Sequence, residues 1–377
     1  MPASLLCRPR TIYLFLKSYI MIRYAMNVAF INFNKRWAGV KTWTVDYGRE
    51  LVKLGHRVVM IIRKGTGHKD IYESAGFTVY EIRAGMKYNP STIYKLSKIL
   101  IKNDIDVSVV NISKDLNIGA TASKLSGIPV VHRIGLINDI RNRFEDRALH
   151  KTIVDAVVVP SHFLKDELSG IKWFNTAKIN VIPNSKMAEN YPVPERKGEG
   201  KVFGITSRLD ASKGHDLLLE AFSMVLKEIP DATLNIAGTG KREGRIREQI
   251  KELGLEDSVT LHGFIKDIPA FLSGLDVYVL TSLEESFGNT VLEAMFAALP
   301  VVSFDTGGVP EVLGGTGILT PAGDVEALAE KMILIARDAA LRRERGEAAR
   351  KRAEEVYDLK KNTYRLIELL EEVISSH

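Results

Sequence analysis

The stretch Val277-Tyr278-Val279-Leu280-Thr281-Ser282-Leu283-Glu284-Glu285-Ser286-Phe287-Gly288-Asn289-Thr290-Val291-Leu292-Glu293-Ala294-Met295 decides the fold. Its first four residues, 277–280, are an unbroken apolar run, which reads as a strand buried on both faces. A polar loop with one glycine follows, and then a helical pattern expected over 290–298. Strand, loop and helix in that order make one step of a parallel α/β sheet.

The same step repeats in both directions. Downstream, a strand at 300–304 runs into Asp305-Thr306-Gly307-Gly308-Val309-Pro310-Glu311, a glycine-rich turn with Pro310 near the start of a helix. Upstream, strands are expected at 202–206, 233–237 and 259–261, with helices at 214–227 and 242–253. A further series of strands lies at 28–31, 58–62, 107–110, 129–131 and 154–159, with helices such as 42–54 and 92–102 between them. The two series are separated by 190–200, NYPVPERKGEG, which is rich in proline, glycine and charge and reads as a linker. The tail from 324 to 376 is helical and charged. The pattern predicts two doubly wound α/β domains of similar size. Such sheets bind ligands outside the carboxyl ends of their strands, so the cleft between the two is the expected site.

A chain of 377 residues is long enough for two domains, and 45% apolar with 26% charged residues is ordinary for a globular protein. This composition excludes wholesale disorder, collagen-like structure and a polytopic membrane protein. Cys7 is the lone cysteine, which excludes an internal disulfide framework and multi-cysteine metal sites. The net charge is +6, but Arg8, Arg10, Lys17 and Arg23 lie in the first 26 residues with no acid beside them. The rest sets 48 of the 52 basic residues against all 46 acidic ones, a poor footprint for nucleic acid. Residues 11–25, TIYLFLKSYIMIRYA, are too short and too interrupted for a spanning helix and lack a small-residue cleavage site before Met26. The leader, 1–25, reads either as a short basic interfacial helix or as an extension ahead of the first strand, which opens at Met26.

Several motifs that suggest other chemistry do not carry it. Gly238-Thr239-Gly240 turns a strand into a helix, but the third glycine, Gly244, comes one residue late for a dinucleotide fingerprint. It reads as a tight turn near a ligand. Asp104-Ile105-Asp106 could hold a divalent metal, yet it falls where a helix meets a buried strand and reads as turn acids. There is no G-x-x-x-x-G-K-[ST] and no H-E-x-x-H, so the motifs of P-loop and zinc hydrolase chemistry are absent.

The chemistry is concentrated in 202–311. Ser207-Arg208-Leu209-Asp210-Ala211-Ser212-Lys213-Gly214 follows a strand, which places Arg208 and Lys213 on a strand-end loop at the mouth of the cleft. Two cations there can hold a diphosphate and offset charge on a leaving group; solvated loop charges are the plain alternative. The helix opening near Asn289 and Thr290 offers free N–H groups and a positive dipole end to phosphate, and Gly288 lets the backbone come close. Glu285 can accept from sugar hydroxyls or simply cap the loop. Glu293 can reach ribose hydroxyls or simply complement the helix dipole.

The order S-R-L-D-x-x-K-G, I-A-G-T-G, L-H-G-F, E-E-S-F-G-N-T-V-L-E-A-M and D-T-G-G-V-P-E resembles glycosyltransferase family 4, strongly over about 200–325 and more weakly over 26–185. The family's E-x-x-x-x-x-x-x-E spacing matches Glu285 to Glu293 and selects Glu285 over Glu284. The resemblance implies a GT-B architecture: an acceptor domain over 26–190, a nucleotide-sugar donor domain over 200–357, and a C-terminal helix, 358–377, crossing back to the first domain. It implies retaining transfer from a UDP-, GDP- or ADP-sugar to a hydroxyl acceptor, without a metal or other cofactor. Arg208 and Lys213 would bind the donor diphosphate, Glu285 the sugar hydroxyls, Glu293 the ribose. The backbone at Phe287, Gly288, Asn289 and Thr290 would meet sugar and phosphate, with Gly238 nearby. Trp37-Ala38-Gly39-Val40-Lys41 resembles the glycine-rich loop of the first domain, with Ala38-Gly39 where the family has two glycines. Val181-Ile182-Pro183-Asn184-Ser185 resembles its V-I-P-N-G hinge, with Ser185 in place of glycine. A family histidine after a first-domain strand corresponds to His132, with Arg133 and Asn138 as alternatives. His56 and His262 read as structural.

Three rivals stand beside this reading. A sugar-phosphate-forming or phosphorylase-like enzyme could use the same scaffold. A nucleotide-sugar binding protein could keep the fold without turnover. A nicotinamide-dependent oxidoreductase would need the fingerprint that is absent. Lipid, lipopolysaccharide or polysaccharide precursors and small molecules all fit as acceptors. The basic leader favours a cytoplasmic protein touching the inner membrane surface.

Overall fold

The computed structural model describes residues 25–35, 39–83, 89–111, 113–140, 143–193 and 200–377. The leader up to residue 24, Trp37 and Ala38, and residues 194–199 of the expected linker lie outside the described residues.

The first half is a seven-stranded sheet in the order β3-β2-β1-β4-β5-β6-β7, with every neighbouring pair parallel. Its strands are β1 (Asn27–Asn32), β2 (Arg57–Arg63), β3 (Thr78–Ile82), β4 (Val107–Val110), β5 (Val130–Arg133), β6 (Val154–Val159) and β7 (Ile179–Val181). Burial on both faces explains the apolar runs. In β2, Val59 and Ile61 join one core with Ile31 and Val110, while Val58, Met60 and Ile62 join the opposite core with Val28 and Phe30.

The second half is a six-stranded parallel sheet in the order β10-β9-β8-β11-β12-β13. It comprises β8 (Val202–Thr206), β9 (Thr233–Ala237), β10 (Val259–Gly263), β11 (Val277–Leu280), β12 (Val301–Phe304) and β13 (Ile318–Thr320). The strand order reverses between β1 and β4 in one sheet and between β8 and β11 in the other, the switch points where such folds open a crevice.

Five helices position the site: α1 (Gly39–Lys53), α2 (His162–Ser169), α3 (Asn289–Phe296), α4 (Val309–Leu313) and α5 (Leu359–Ser376). The last of these returns to the first half. Leu366, Ile367, Leu370 and Val373 enter the same core as Phe30, Trp43, Tyr47 and Leu51, and burial of each contributes roughly 1.5–3 kcal/mol. Asp358 caps α5 by accepting from the Lys361 N–H at 2.6 Å. The chain passes between the halves twice, side by side: Lys186 N–H donates to the Tyr357 carbonyl and Leu359 N–H to the Lys186 carbonyl, each at 3.1 Å.

Three strands, β3, β7 and β13, were not expected from the sequence. All are sheet edges with partly exposed residues, so none carries a continuous apolar run. β5 also runs on to Arg133 rather than ending at 131. The start of the expected linker is packed: Tyr191 is buried, stacks on Phe296 at 5.8 Å, and its carbonyl accepts from Arg350 at 2.8 Å.

Candidate active site

A cleft of about 320 Å³ lies between the two halves at the carboxyl ends of their strands. The second half lines it with Ser207, Arg208, Lys213, Glu285, Asn289, Thr290 and Glu293. The first half gives Gly39, Thr42, Trp43 and Asp46 from α1, and the crossing segment adds Asn184, Ser185 and Lys186.

The loops after β8 and β11 are laced together. Thr281 Oγ1 donates to the Lys213 carbonyl at 3.0 Å, and Leu283 N–H donates to the Ser212 carbonyl at 2.8 Å. Gly214 sits in the left-handed region at φ 61°, where a Cβ would come within 2.2 Å of the Thr281 oxygen. Glycine is therefore required to bring Lys213 against the β11 loop. The D-T-G-G-V turn does the same for Glu285: Gly308 N–H donates to the Glu285 carbonyl at 2.9 Å, and a Cβ on Gly307 would lie 1.7 Å from that carbonyl oxygen. The outcome is an ion pair at the heart of the cleft, with Lys213 Nζ 2.5 Å from Glu285 Oε2 and both side chains largely buried.

α3 starts one residue earlier than the sequence pattern indicates, at Asn289, behind Gly288 in the left-handed region at φ 96°. Its N-cap, Gly288, offers no side chain to cap it, and its first residues, Asn289 and Thr290, line the cleft with Lys213 and Glu285. On the next turn, Glu293 meets Lys186 at 3.4 Å, and Lys186 meets Asp46 of α1 at 3.1 Å. Burial pushes the Glu293 and Asp46 carboxyls above their ordinary values, with Lys186 pulling the other way. Burial opposes the charge on Lys186, but the two carboxylates outweigh it and hold its pKa above the usual lysine value.

Of the residues singled out from sequence, Gly39, Arg208, Lys213, Glu285, Asn289, Thr290 and Glu293 line one cavity. Arg208 stands at its mouth, 72% exposed and paired with Asp210 at 2.8 Å. Phe287 and Gly288 lie behind Asn289, with Phe287 edge-on to Tyr357 at 5.7 Å. Gly238 does not line the cavity: a Cβ there would lie 1.8 Å from the Ser207 carbonyl, so it acts by letting the Arg208 loop close onto β9. His132 does not line it either. It is interior to β5, fully buried, and its Nδ1 lies 3.1 Å from Nε2 of His150. Burial, then His150 and Arg133, drive its pKa well below the ordinary histidine value. Side chains alternate along a strand, so Arg133 faces the opposite way, over the Trp43 ring at 5.0 Å. Asn138 is exposed. Asp106 accepts from Asn27 N–H at 2.8 Å at the amino end of β4, the far end of the sheet from the cleft. Among the described residues, no group of three or more His, Cys, Asp or Glu side chains is placed to hold a metal ion.

Sequence reasoning missed Asp46 and Lys186. Gly39, Thr42, Trp43 and Asp46 recur at helical spacing on one face of α1, a signal visible in the sequence. No such signal marks Lys186, which acquires its partners only when the halves close.

Further contacts cross between the halves. Ser161 Oγ donates to the Ser286 carbonyl at 2.8 Å, and both Glu311 carboxylate oxygens accept N–H groups at the start of α2, from His162 at 2.9 Å and Phe163 at 3.0 Å.

Two family models match the chain: Glycosyltransferase Family 4 over residues 37–185 and Glycosyl transferases group 1 over residues 187–352. The chain belongs to this family of glycosyltransferases. Among curated relatives it is 25% identical to the phosphatidylinositol N-acetylglucosaminyltransferase gpi3 subunit of Schizosaccharomyces pombe, over 73% of this chain and 64% of that protein. It is also 25% identical to a human phosphatidylinositol N-acetylglucosaminyltransferase subunit, over 79% of this chain and 65% of that protein. The match thus spans just under two thirds of the length of each relative. Among solved structures, a glycosyltransferase from Rickettsia africae superposes with a TM-score of 0.82 at 20% identity, covering 94% of this chain and all of that one. Anabaena Alr3699/HepE in complex with UDP superposes with a TM-score of 0.81 at 21% identity, covering 92% of this chain and all of that one. These likenesses establish the GT-B fold: two Rossmann-like parallel sheets facing a cleft.

Proposed function

We propose that the protein is a retaining glycosyltransferase that moves a sugar from a nucleoside-diphosphate sugar to a hydroxyl acceptor in glycolipid, lipopolysaccharide or polysaccharide synthesis. The Lys213–Glu285 ion pair beside the uncapped start of α3 carries this reading. It sets a cation and backbone N–H groups where a diphosphate would sit, and a carboxylate where sugar hydroxyls would sit. Family membership supports it, as do the HepE structures holding UDP and UDP-glucose.

In this mechanism the donor lies against the second half, its ribose at Glu293 and its diphosphate between Lys213 and α3. Departure of the diphosphate leaves an oxocarbenium-like sugar. Lys213, Arg208 and the start of α3 stabilise the leaving charge, which gives the reaction a route that needs no metal. The acceptor enters from the side of α1. Glu285 and Glu293 both face the donor, so the paired acid and base of ordinary glycosidases do not apply. Closure of the two halves, held by Ser161 on Ser286 and Glu311 on α2, excludes water and limits donor hydrolysis.

Among the described residues no helix is long and apolar enough to cross a membrane. A lipid acceptor would therefore be met from the surface, with the basic residues of the leader adding attraction to anionic lipid. A thermal-shift screen against UDP, GDP, ADP and their sugars, followed by release of free nucleoside diphosphate on adding acceptors, tests the proposal. Binding without release, for every acceptor tried, would favour a nucleotide-sugar binding protein. A chelator is expected to leave turnover unchanged; strong inhibition would overturn the metal-free scheme.

A further inference from the structure

One line of polar contacts runs into the cleft from deep in the first half. Arg133 is 3% exposed at the end of β5, its guanidinium against the Trp43 ring. Its Nη2 donates to Asn184 Oδ1 at 2.9 Å, and Asn184 Nδ2 donates to Asn289 Oδ1 at 2.8 Å. The polarity of this chain is forced. A guanidinium has donors and no acceptor, so the Asn184 oxygen must face Arg133 and its amide nitrogen must face away. The amide nitrogen then occupies the Asn289 oxygen, which leaves the Asn289 nitrogen as the end that points on. That nitrogen lies toward Gly39 across the cleft, 3.1 Å from where a Cβ on Gly39 would be. Turning Asn184 over would set N–H groups against a buried guanidinium and leave a buried acceptor without its donor.

Resting on the donor-site reading above, we propose that Arg133 is a positioning residue: through Asn184 it fixes the Asn289 side chain with its N–H donors toward the donor diphosphate. The three residues belong to β5, the crossing segment and α3, so the chain of contacts assembles only when the halves are closed. Arg133 stays charged at neutral pH although burial lowers it to about 10. The diphosphate therefore feels the first half through a neutral amide that is oriented by a cation too deep to touch the ligand.

Calorimetry on the full chain with UDP, GDP and ADP, continued with the tightest, tests this. Arg133→Gln, whose side chain can accept as well as donate, is expected to weaken diphosphate binding about tenfold, as is Asn289→Ala. The matching nucleoside without phosphate should bind both variants within about twofold of the parent. In the double variant, Arg133→Gln should add less than about twofold to the loss from Asn289→Ala, the mark of a shared pathway. Arg133→Lys, which also only donates, should keep binding within about threefold. If Arg133→Gln fails to fold, Asn184→Ala serves in the same cycle. Losses that multiply fully in the double variant, or that fall equally on the nucleoside, would overturn the proposal by making Arg133 merely structural. A parent protein that binds none of the three nucleotides would instead overturn the donor-site reading itself.

Discussion

The wall that the second half gives the cleft is built from loops, and the wall that the first half gives it is one face of a helix. On the second wall, Lys213 and Glu285 are held by backbone hydrogen bonds and by glycines that admit no Cβ, so each charge has one place to be. On the first, Gly39, Thr42, Trp43 and Asp46 stand on one face of α1, held through side chains, Asp46 on Lys186 and Trp43 under Arg133, rather than through a laced loop backbone. Fixed charge suits a step in which negative charge develops at one point. A helix face suits an acceptor that must be oriented, because its side chains can change without disturbing the backbone. His132 and His150 of the first half, by contrast, belong to its interior.

The sharpest attempt to break this comparison is at the ion pair. Lys213→Ala and Glu285→Ala are each expected to lower kcat/KM about 10³-fold while the protein still unfolds in one cooperative transition, read by nucleoside-diphosphate release and differential scanning. Turnover near that of the parent in either variant would move the chemistry off the second wall.

The next test asks whether the histidines are scaffold. Burial lowers His150 to about 4, so the folded protein keeps it neutral while the unfolded chain takes up a proton near its ordinary value of 6.5. The unfolded state then binds more protons, and stability falls as pH drops through 6.5 toward 4. From pH 7 to pH 5 this residue alone costs a little under about 2 kcal/mol, roughly twentyfold in the folding equilibrium. Urea unfolding at the two pH values should show the loss, and His150→Phe should reduce it by this residue's share, leaving the part that the buried His132 and His215 contribute with the same sign. An equal pH slope in the variant would mean that His150 is not held neutral.

A smaller effect is expected at the seam between the walls. Lys186→Met leaves Glu293 and Asp46 facing one another without their cation, which raises the Glu293 pKa further. Donor KM should rise about tenfold at pH 7 and recover as pH increases, with kcat within about twofold; Lys186→Arg should restore the parent profile. A pH-independent loss would reduce Lys186 to packing.

Asp46→Asn is expected to do least, about threefold or less in donor KM, because Glu293 still offsets Lys186 and the amide oxygen still accepts. A loss of tenfold or more would give the first wall a charged substrate contact and erase the contrast drawn above.

Legibility in the sequence followed burial and contiguity. Ten of the thirteen strands were readable from their apolar residues, most of them because they are buried on both faces; the partly exposed edge strands β3, β7 and β13 were not, although the edge strand β10 was. Lys213, Glu285 and Glu293 were readable because each lies in a motif a few residues long beside a strand end. His132 was misplaced by two residues of strand. Once β5 runs to Arg133, alternation turns the histidine into one core and the arginine toward the other. Asp46 was recoverable from helical spacing along α1, whereas Lys186 was not.

The sequence by itself determined two parallel sheets and the wall that the second half gives the cleft, because strand burial, glycine turns and helix starts are local matters of spacing and backbone conformation. Tertiary structure alone decided that Lys186 lies between Asp46 and Glu293, that Glu311 caps α2, and that Arg133 reaches Asn289 through Asn184. Those contacts join residues more than 50 positions apart, and in most of them two halves of the chain, so they exist only once the second half has closed on the first.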